Sequence, residues 1–262
     1  MLPKVKHTLT EAAWQAAFAG IEQTVSKAEI DNAIDRALVE IGQVCKGKRC
    51  AIAWSGGKDS IALEWITRQA GIEKGIMALS NLEFNAFLDW LVIHQPPYLD
   101  IMTSSFDATM FVSRPEYLFP DNSDVLGKWY GMHQHRIQKE YAHAHKLDLM
   151  IMGRRKADSN YTGRGSNLYT NKDGTIYNPL ADWSHEYIFA VLHYYQLPLP
   201  PTYRFPRGFK QGTGPWAWRN RLQSLLHSWN EIYVIEPAIV HQYAEIIPSA
   251  REYLSVKDNM TF

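Results

Sequence analysis

The sequence has few cysteines, no long apolar run and no excess of charge. Among its 262 residues only Cys45 and Cys50 are cysteines, and 27 basic side chains balance 27 acidic ones. Two cysteines exclude a disulfide framework and lack the second ligand pair of a structural zinc site, so we interpret them as reduced thiols. No run reaches membrane-spanning length and no secretory leader is recognisable, so we expect a soluble cytoplasmic protein without a membrane partner.

A glycine-rich loop between a strand pattern and a helix pattern is the most informative motif. The apolar run at residues 50–54 predicts a buried strand, and apolar residues recur at helical spacing over 61–66. Between them, Gly56 and Gly57 allow successive N–H groups to turn inward as an anion-binding nest. The helix that follows adds the positive end of its dipole. The loop at residues 55–60 is therefore predicted to hold phosphate.

The side chains of this loop fit the same purpose. Ser55 can cap the helix or bond a phosphate oxygen, Lys58 supplies a mobile positive charge, and Asp59 can hold Mg²⁺ or position a water. The two familiar phosphate loops do not match, because Ile52 and Asp59 break the Walker pattern and Ser60 replaces the third glycine of the dinucleotide fingerprint. The alternative is an ordinary strand–turn–helix in which the glycines only make the turn.

The loop resembles the PP-loop of the N-type ATP pyrophosphatases, also called adenine nucleotide alpha hydrolases. Three later segments, at residues 153–159, 178–184 and 197–198, resemble successive landmarks of the phosphoadenosine phosphosulfate (PAPS) reductase branch of this superfamily. The resemblance spans about residues 50–205 and implies an enzyme that acts at the alpha phosphate of an adenine nucleotide. It implies ATP and Mg²⁺ as cofactors.

Carried over residue by residue, the resemblance implies a nucleotide site built from two loops. Its nucleotide-binding residues would be Ser55, Gly56, Gly57, Lys58, Asp59, Ser60, Gly153, Arg155, Asp158 and Ser159. Lys58, Asp59 and Arg155 would be the catalytic residues: Lys58 would stabilise the leaving group and Arg155 would brace the alpha phosphate. Asp59 together with Asp182 would hold Mg²⁺.

The second predicted strand, at residues 75–79, ends at Ser80 and Asn81. In doubly wound sheets ligands bind at the carboxyl ends of the strands, so both residues are further candidates for contact with the nucleoside. Asn81 is equally well explained as the cap of the following helix.

One departure from the family concerns the reaction. The reductases need a cysteine near the C-terminus as nucleophile, and the last cysteine here is Cys50. No other side chain replaces a thiolate in that step, because sulfur must form a sulfur–sulfur bond and leave as a disulfide. Sulfonucleotide reduction by this chain alone is therefore not expected, and the same count argues against an iron–sulfur cluster.

The reaction that remains is cleavage between the alpha and beta phosphates of ATP. It would release pyrophosphate and transfer the adenylyl group to water or to an acceptor that the sequence does not identify. Three alternatives stay open: a PAPS reductase-type enzyme whose thiol comes from a partner or from an unexpectedly placed Cys45 or Cys50, a nucleic-acid sulfur-modification component, and a non-catalytic nucleotide-binding module.

The segment from residue 187 to 230 contains no carboxylate, whereas basic residues are interleaved there with aromatic ones. We interpret it as a lid or a substrate-binding loop, with single-stranded nucleic acid contact and a solvated loop as alternatives. Its basic residues are Arg204, Arg207, Lys210, Arg219 and Arg221.

The predicted fold is α/β, with a doubly wound, mainly parallel sheet of about five strands and flanking helices. We divide the chain into an N-terminal helical hairpin (1–45), a PP-loop nucleotide-binding domain (46–205) and a C-terminal basic/aromatic loop with a helical appendage (206–262). The hairpin packs either on the sheet or on a second subunit, so a homodimer is one possibility. Residues 106–129 are expected to form an irregular insert.

Overall fold

The computed structural model describes residues 9–165 and 167–259. They form a six-stranded sheet with helices packed around it. Residues 1–8, 166 and 260–262 lie outside the described residues, and with them the outer ends of the predicted N-terminal hairpin and C-terminal appendage. The strands are β1 (Cys50–Ala53), β2 (Gly75–Ser80), β3 (Leu99–Ser104), β4 (Leu149–Met152), β5 (Leu168–Asn171) and β6 (Gly174–Tyr177).

The sheet has the order β3-β2-β1-β4-β6-β5, and every neighbouring pair is parallel except β5 and β6. The predicted α/β fold with a mainly parallel sheet is therefore confirmed, and one strand more is present than the five expected. The additional pairing is the antiparallel hairpin of β5 and β6, which turns at Asp173 and Gly174, the latter with φ of 130°. The sequence analysis missed this hairpin.

Helices cover both faces of the sheet and continue beyond it. In chain order they are α1 (Glu11–Ala19), α2 (Lys27–Cys45), α3 (Lys58–Gln69), α4 (Asn85–His94), α5 (Met110–Ser113), α6 (Ser123–Tyr130), α7 (Arg136–Ala144), α8 (His185–Tyr194), α9 (Gly208–Gln211), α10 (Leu225–Ile235), α11 (Pro237–Ala244) and α12 (Pro248–Val256). Within residues 9–165 and 167–259, none of these helices has the length and apolar character needed to cross a bilayer.

The two faces of the sheet differ in how much they bury. On one face α2, α3 and α8 pack against one another and against the sheet, and they form the larger core together with α1. On the other face α7 covers a smaller cluster, in which Ile137 and Tyr141 contact apolar side chains of β1, β2, β4 and β6. The central strands β1 and β4 are covered on both faces, and their sequences are continuous apolar runs. The edge strands β3 and β5 are partly exposed and carry polar residues.

Residues 106–129, expected to form an irregular insert, contain the short helix α5 and most of α6 and pack against the C-terminal region. The Phe119 N–H donates a hydrogen bond of 2.9 Å to the Ala217 carbonyl, which joins the insert to the C-terminal region. The ring of Trp216 lies 5.6 Å from that of Trp229 and 6.3 Å from that of Phe119, and all three are almost fully buried. One aromatic core therefore joins segments on both sides of residue 205.

Candidate functional site

The glycine loop connects the carboxyl end of β1 to the first turn of α3. Gly56 has φ of 67°, and a Cβ atom added there would come within 2.9 Å of the Phe87 ring. Both the backbone conformation and the close approach therefore require glycine at this position. Gly57 precedes α3, so the first N–H groups of the helix, which have no acceptor within the helix itself, lie next to the loop.

Two serines hold the shape of the loop. The Ser60 hydroxyl donates to the Gly57 carbonyl at 2.9 Å and accepts from the Ser55 N–H at 3.1 Å. Since this donation uses the single O–H of Ser60, the Ser55 hydroxyl is the donor in the 3.2 Å contact between the two side chains. Ser60 is buried and Ser55 is exposed, so Ser60 braces the loop and Ser55 lies on its accessible side.

A chain of alternating charges runs from the loop into the protein. The Lys58 ammonium lies 2.6 Å from Oδ2 of Asp59, and Oδ1 of Asp59 lies 2.7 Å from Nε of Arg155. Nη2 of Arg155 in turn lies 2.7 Å from Oδ2 of Asp158. The Arg155 side chain is 0% exposed and that of Asp59 is 25% exposed. Asp59 is therefore the most accessible charged group of the four.

His185, the first residue of α8, supports Arg155 from behind. Its Nδ1 lies 3.1 Å from Nη2 of Arg155, while Nη1 of Arg155 donates to the Trp183 carbonyl at 3.1 Å. Burial, helped by the positive charges of Arg155 and Lys58, lowers the pKa of His185 to about 4. The imidazole is therefore neutral at neutral pH, and Nδ1 accepts the hydrogen bond. The sequence analysis did not identify His185, which no motif distinguishes.

The second loop follows β4 and lies directly against the PP-loop. A Cβ atom added to Gly153 would lie 3.2 Å from the backbone carbonyl of Asp59, so glycine permits this contact. The loop then closes on itself, because the Asn160 N–H donates to the Arg155 carbonyl at 3.2 Å. Ser159 adopts a left-handed conformation with φ of 61° at this bend. Gly153, Arg155, Asp158 and Ser159 thus share one loop beside the PP-loop.

Asp182 has different partners from Asp59. It is exposed, and its two carboxylate oxygens lie 2.5 Å from Nζ of Lys156 and 2.9 Å from Nδ2 of Asn167. The hydrogen bond from Lys156 lowers the pKa of Asp182 below its usual range. Across residues 9–165 and 167–259, no group of three or more His, Cys, Asp or Glu side chains could hold a metal ion. Asp59 and Asp182 thus pair with different basic residues, and their joint role around Mg²⁺ stays a prediction.

Ser80 and Asn81, at the end of β2, contact the polypeptide itself. The Ser80 hydroxyl donates to Oε1 of Glu83 at 2.8 Å, and burial raises the pKa of Glu83 to about 7. Asn81 exchanges two hydrogen bonds, of 3.0 and 2.8 Å, with the backbone of Phe106. In this conformation both side chains order the segments that follow β2 and β3.

Residues 201–214, called here the roof segment, cover the PP-loop. The Tyr203 hydroxyl accepts a 2.8 Å hydrogen bond from the Lys58 N–H, and the Thr213 hydroxyl donates one of 2.9 Å to the Ser55 carbonyl. A Cβ atom on Gly208 would come within 2.5 Å of the Tyr203 carbonyl, so this glycine lets the segment fold tightly. The sequence analysis missed Tyr203 and Thr213. For Thr213 a local signal was present, because it lies between Gly212 and Gly214.

Three of the five basic residues of the acid-free segment have acidic partners outside it. Arg207 and Arg219 lie 2.5 and 3.0 Å from the carboxylate of Glu231, the first acid after that segment, and Arg219 is 2% exposed. Arg221 pairs with Asp121 at 3.2 Å. The remaining two, Arg204 and Lys210, are exposed on the roof segment.

No protein-family model and no curated protein matches this chain. Several solved structures are similar to it. A PAPS reductase from Candida auris, in a phosphate complex, has 12% identity and a TM-score of 0.48 over 68% of this chain and 91% of its own. The NH3-dependent NAD synthetase from Campylobacter jejuni, with a nitrate ion, has 13% identity and a TM-score of 0.46 over 89% and 98%. The U34-tRNA thiolase NcsA from Methanococcus maripaludis, with its [4Fe-4S] cluster, has 14% identity and a TM-score of 0.40 over 96% of this chain and 81% of its own.

Structures of the PP-loop adenine nucleotide alpha hydrolase superfamily, which the sequence motifs resemble, are thus among those similar to this chain. At such low identity the similarity concerns the fold alone. The expectation that the resemblance excludes an iron–sulfur cluster is wrong, because one neighbour, NcsA, carries a [4Fe-4S] cluster. These similarities do not test the predicted binding of ATP and Mg²⁺.

Proposed function

We propose that this chain is an enzyme that binds ATP at residues 55–60 and breaks the bond between its alpha and beta phosphates. The observation that carries the proposal is the continuous network from Lys58 through Asp59 and Arg155 to Asp158, at the carboxyl ends of β1 and β4. It lies beside a glycine loop and a helix N-terminus, which together favour a phosphate group. Ligands bind at this edge in doubly wound sheets.

In the proposed reaction, negative charge develops on the leaving pyrophosphate. The N–H groups of Gly56, Gly57 and Lys58, together with the Lys58 ammonium, would stabilise that charge as donors fixed in advance. Asp59 holds the ammonium 2.6 Å away and is in turn held by Arg155. Because Arg155 is fully buried, we assign it the role of a positioning residue that acts through Asp59.

Nucleotide entry would involve the roof segment. The Tyr203 hydroxyl already accepts the Lys58 N–H, so phosphate and roof compete for this donor, while Thr213 ties the roof segment to the Ser55 carbonyl. Opening and closing of such a segment is a common way to admit substrate and then exclude water. Arg204 and Lys210, exposed on this segment, are the cations placed to meet the substrate.

The test is to incubate the purified chain with ATP carrying separate labels in its alpha and gamma phosphates. We expect labelled pyrophosphate, and AMP or an adenylated acceptor. Asp59→Asn keeps the side-chain shape but releases the Lys58 ammonium, so turnover should fall by about 10²-fold or more. Asp89→Asn, which changes an exposed carboxylate on α4, is the matched control and should leave turnover unchanged.

The outcomes separate the alternatives. Equal turnover by Asp59→Asn and the unchanged chain would refute the mechanism. ATP binding without pyrophosphate release would indicate a nucleotide-binding module. Sulfite release from PAPS in the presence of thioredoxin would indicate a reductase, and tight, salt-sensitive binding of oligonucleotides would favour a nucleic-acid-modifying component.

A further inference from the structure

The two cysteines meet at the end of the sheet opposite the PP-loop. Cys45 ends α2 and Cys50 begins β1, and the turn between them reverses at Gly47, where φ is 71°. The Lys48 N–H closes this turn by donating to the Cys45 carbonyl at 3.0 Å. Both thiols are partly exposed and line the same cavity, and the Cys50 thiol donates to the Lys48 carbonyl at 3.7 Å.

The thiols line an open cavity of about 570 Å³, and most of the charged residues in its lining are basic. Four cations line it, together with His145 and a single acid, Glu73; the cations are Lys46, Lys48, Arg49 and Lys74. Arg49 is paired with Asp148 at 3.1 Å, which leaves an excess of positive charge from the lysines. Such a cavity favours an anionic molecule beside the sulfur atoms.

The surroundings give the two thiols different reactivity. The hydrogen bond from Cys45 lowers the pKa of Cys50, and Lys48 contributes in the same direction. The same hydrogen bond, together with burial, raises the pKa of Cys45. Cys50 is therefore the better thiolate nucleophile, and Cys45 is the thiol that retains its proton.

We propose that Cys45 and Cys50 form a thiol–disulfide exchange site for a small disulfide that carries carboxylates. The Cys50 thiolate attacks one sulfur of that disulfide, forms a mixed disulfide and releases the first small thiolate. Cys45 then gives up its proton and attacks the Cys50 sulfur, which releases the second small thiol. Two electrons pass from the protein dithiol to the small disulfide, and the end of α2 becomes bonded to the start of β1.

Glutathione disulfide is a suitable probe, because it is a small disulfide with several carboxylates. After incubation with the full chain we expect both thiols to disappear, a mass decrease of about 2 Da, and a peptide that joins residues 45 and 50 within one chain. Unreacted thiols, or bridges only between chains, would overturn the proposal.

Single variants test the order of attack. In Cys45→Ser the mixed disulfide at Cys50 has no resolving thiol, so it should accumulate with one glutathione per chain. In Cys50→Ser the remaining Cys45 should react at least about tenfold more slowly than Cys50 does in Cys45→Ser, since its thiolate fraction is smaller. Equal rates in the two variants would contradict the assigned roles.

The preference for an anionic partner has its own test. The measured quantity is the rate with glutathione disulfide divided by the rate with cystamine, a cationic disulfide. Lys74→Gln should lower this ratio, and so should about 1 M salt, because screening then acts within about 3 Å. Lys172→Gln, which lies in the turn between β5 and β6, is the control and should not change it. An unchanged ratio in Lys74→Gln would refute the anionic specificity.

Discussion

The contact between Tyr203 and the PP-loop leads to a prediction of unusual direction: removing the tyrosine hydroxyl should strengthen nucleotide binding. Without ligand, the Lys58 N–H donates to this hydroxyl at 2.8 Å, and both residues are buried. Burial and the Asp59 carboxylate raise the pKa of Tyr203, so the hydroxyl keeps its proton at neutral pH. A phosphate oxygen can accept a hydrogen bond from the Lys58 N–H only after the Tyr203 hydroxyl has moved away.

The size of the effect follows from the hydrogen bond. In Tyr203→Phe the Lys58 N–H loses its acceptor in the unliganded protein, which costs about 1–3 kcal/mol. In the complex a phosphate oxygen accepts the same N–H, so this cost disappears on binding. Taking about 1–2 kcal/mol, the dissociation constant for ATP should fall by a factor of about 5–30. Without nucleotide the melting temperature should fall by about 2–4 °C for each kcal/mol lost.

Calorimetric titration with a non-hydrolysable ATP analogue measures this directly. Tyr194→Phe is the matched control, because its hydroxyl donates to the Val25 carbonyl at 2.9 Å, away from the loop. It should lower stability without changing affinity. If Tyr203→Phe melts at a lower temperature but binds the analogue no more tightly than the unchanged chain, competition between roof segment and phosphate is refuted.

Two further predictions concern stability. The pKa of His185 is lowered to about 4 from an ordinary value of 6.5, so its neutral form stabilises the fold above pH 6.5 and that stabilisation is lost as the pH falls toward 4. Urea midpoints should therefore decline over this range, less steeply in His185→Asn; parallel slopes would contradict the assignment. Glu231→Gln leaves the buried Arg219 without its counter-charge and should cost about 3–5 kcal/mol in urea unfolding. Lys210→Gln, on the exposed roof segment, should stay within about 0.5 kcal/mol, and equal losses would refute the burial argument.

The central part of the fold was predictable because its signals are local. The apolar run of β1, the two glycines and the helical spacing of α3 lie within one short stretch, and each has a direct physical reason. The second loop followed from its resemblance to known landmarks, and the structure places Gly153 against Asp59. The hairpin of β5 and β6 also had a local signal, Asp173 followed by Gly174, which is typical of such turns.

Other features depend on residues far apart in the sequence. Nothing near Arg219 indicates that Glu231 neutralises it, because the segment from 187 to 230 is acid-free and its partner lies just beyond. The contact between Tyr203 and Lys58 spans 145 positions, and a tyrosine without a motif gives no warning of it. The different partners of Asp59 and Asp182 likewise arise from tertiary structure, since the neighbouring residues Arg155 and Lys156 pair with different acids.

Helix α1 touches both sides of the candidate site. The edge of Trp14 packs against His185, with ring centres 4.6 Å apart, and His185 supports Arg155. At its other side, Glu11 accepts a 2.9 Å hydrogen bond from the Phe209 N–H, which lies in the roof segment. A shortened chain that began at α2 would keep the whole sheet and the glycine loop. It would nevertheless lose the two contacts through which α1 joins the roof segment to His185. We therefore expect α1 to set the width of the gap between the roof segment and the PP-loop, into which a nucleotide must fit.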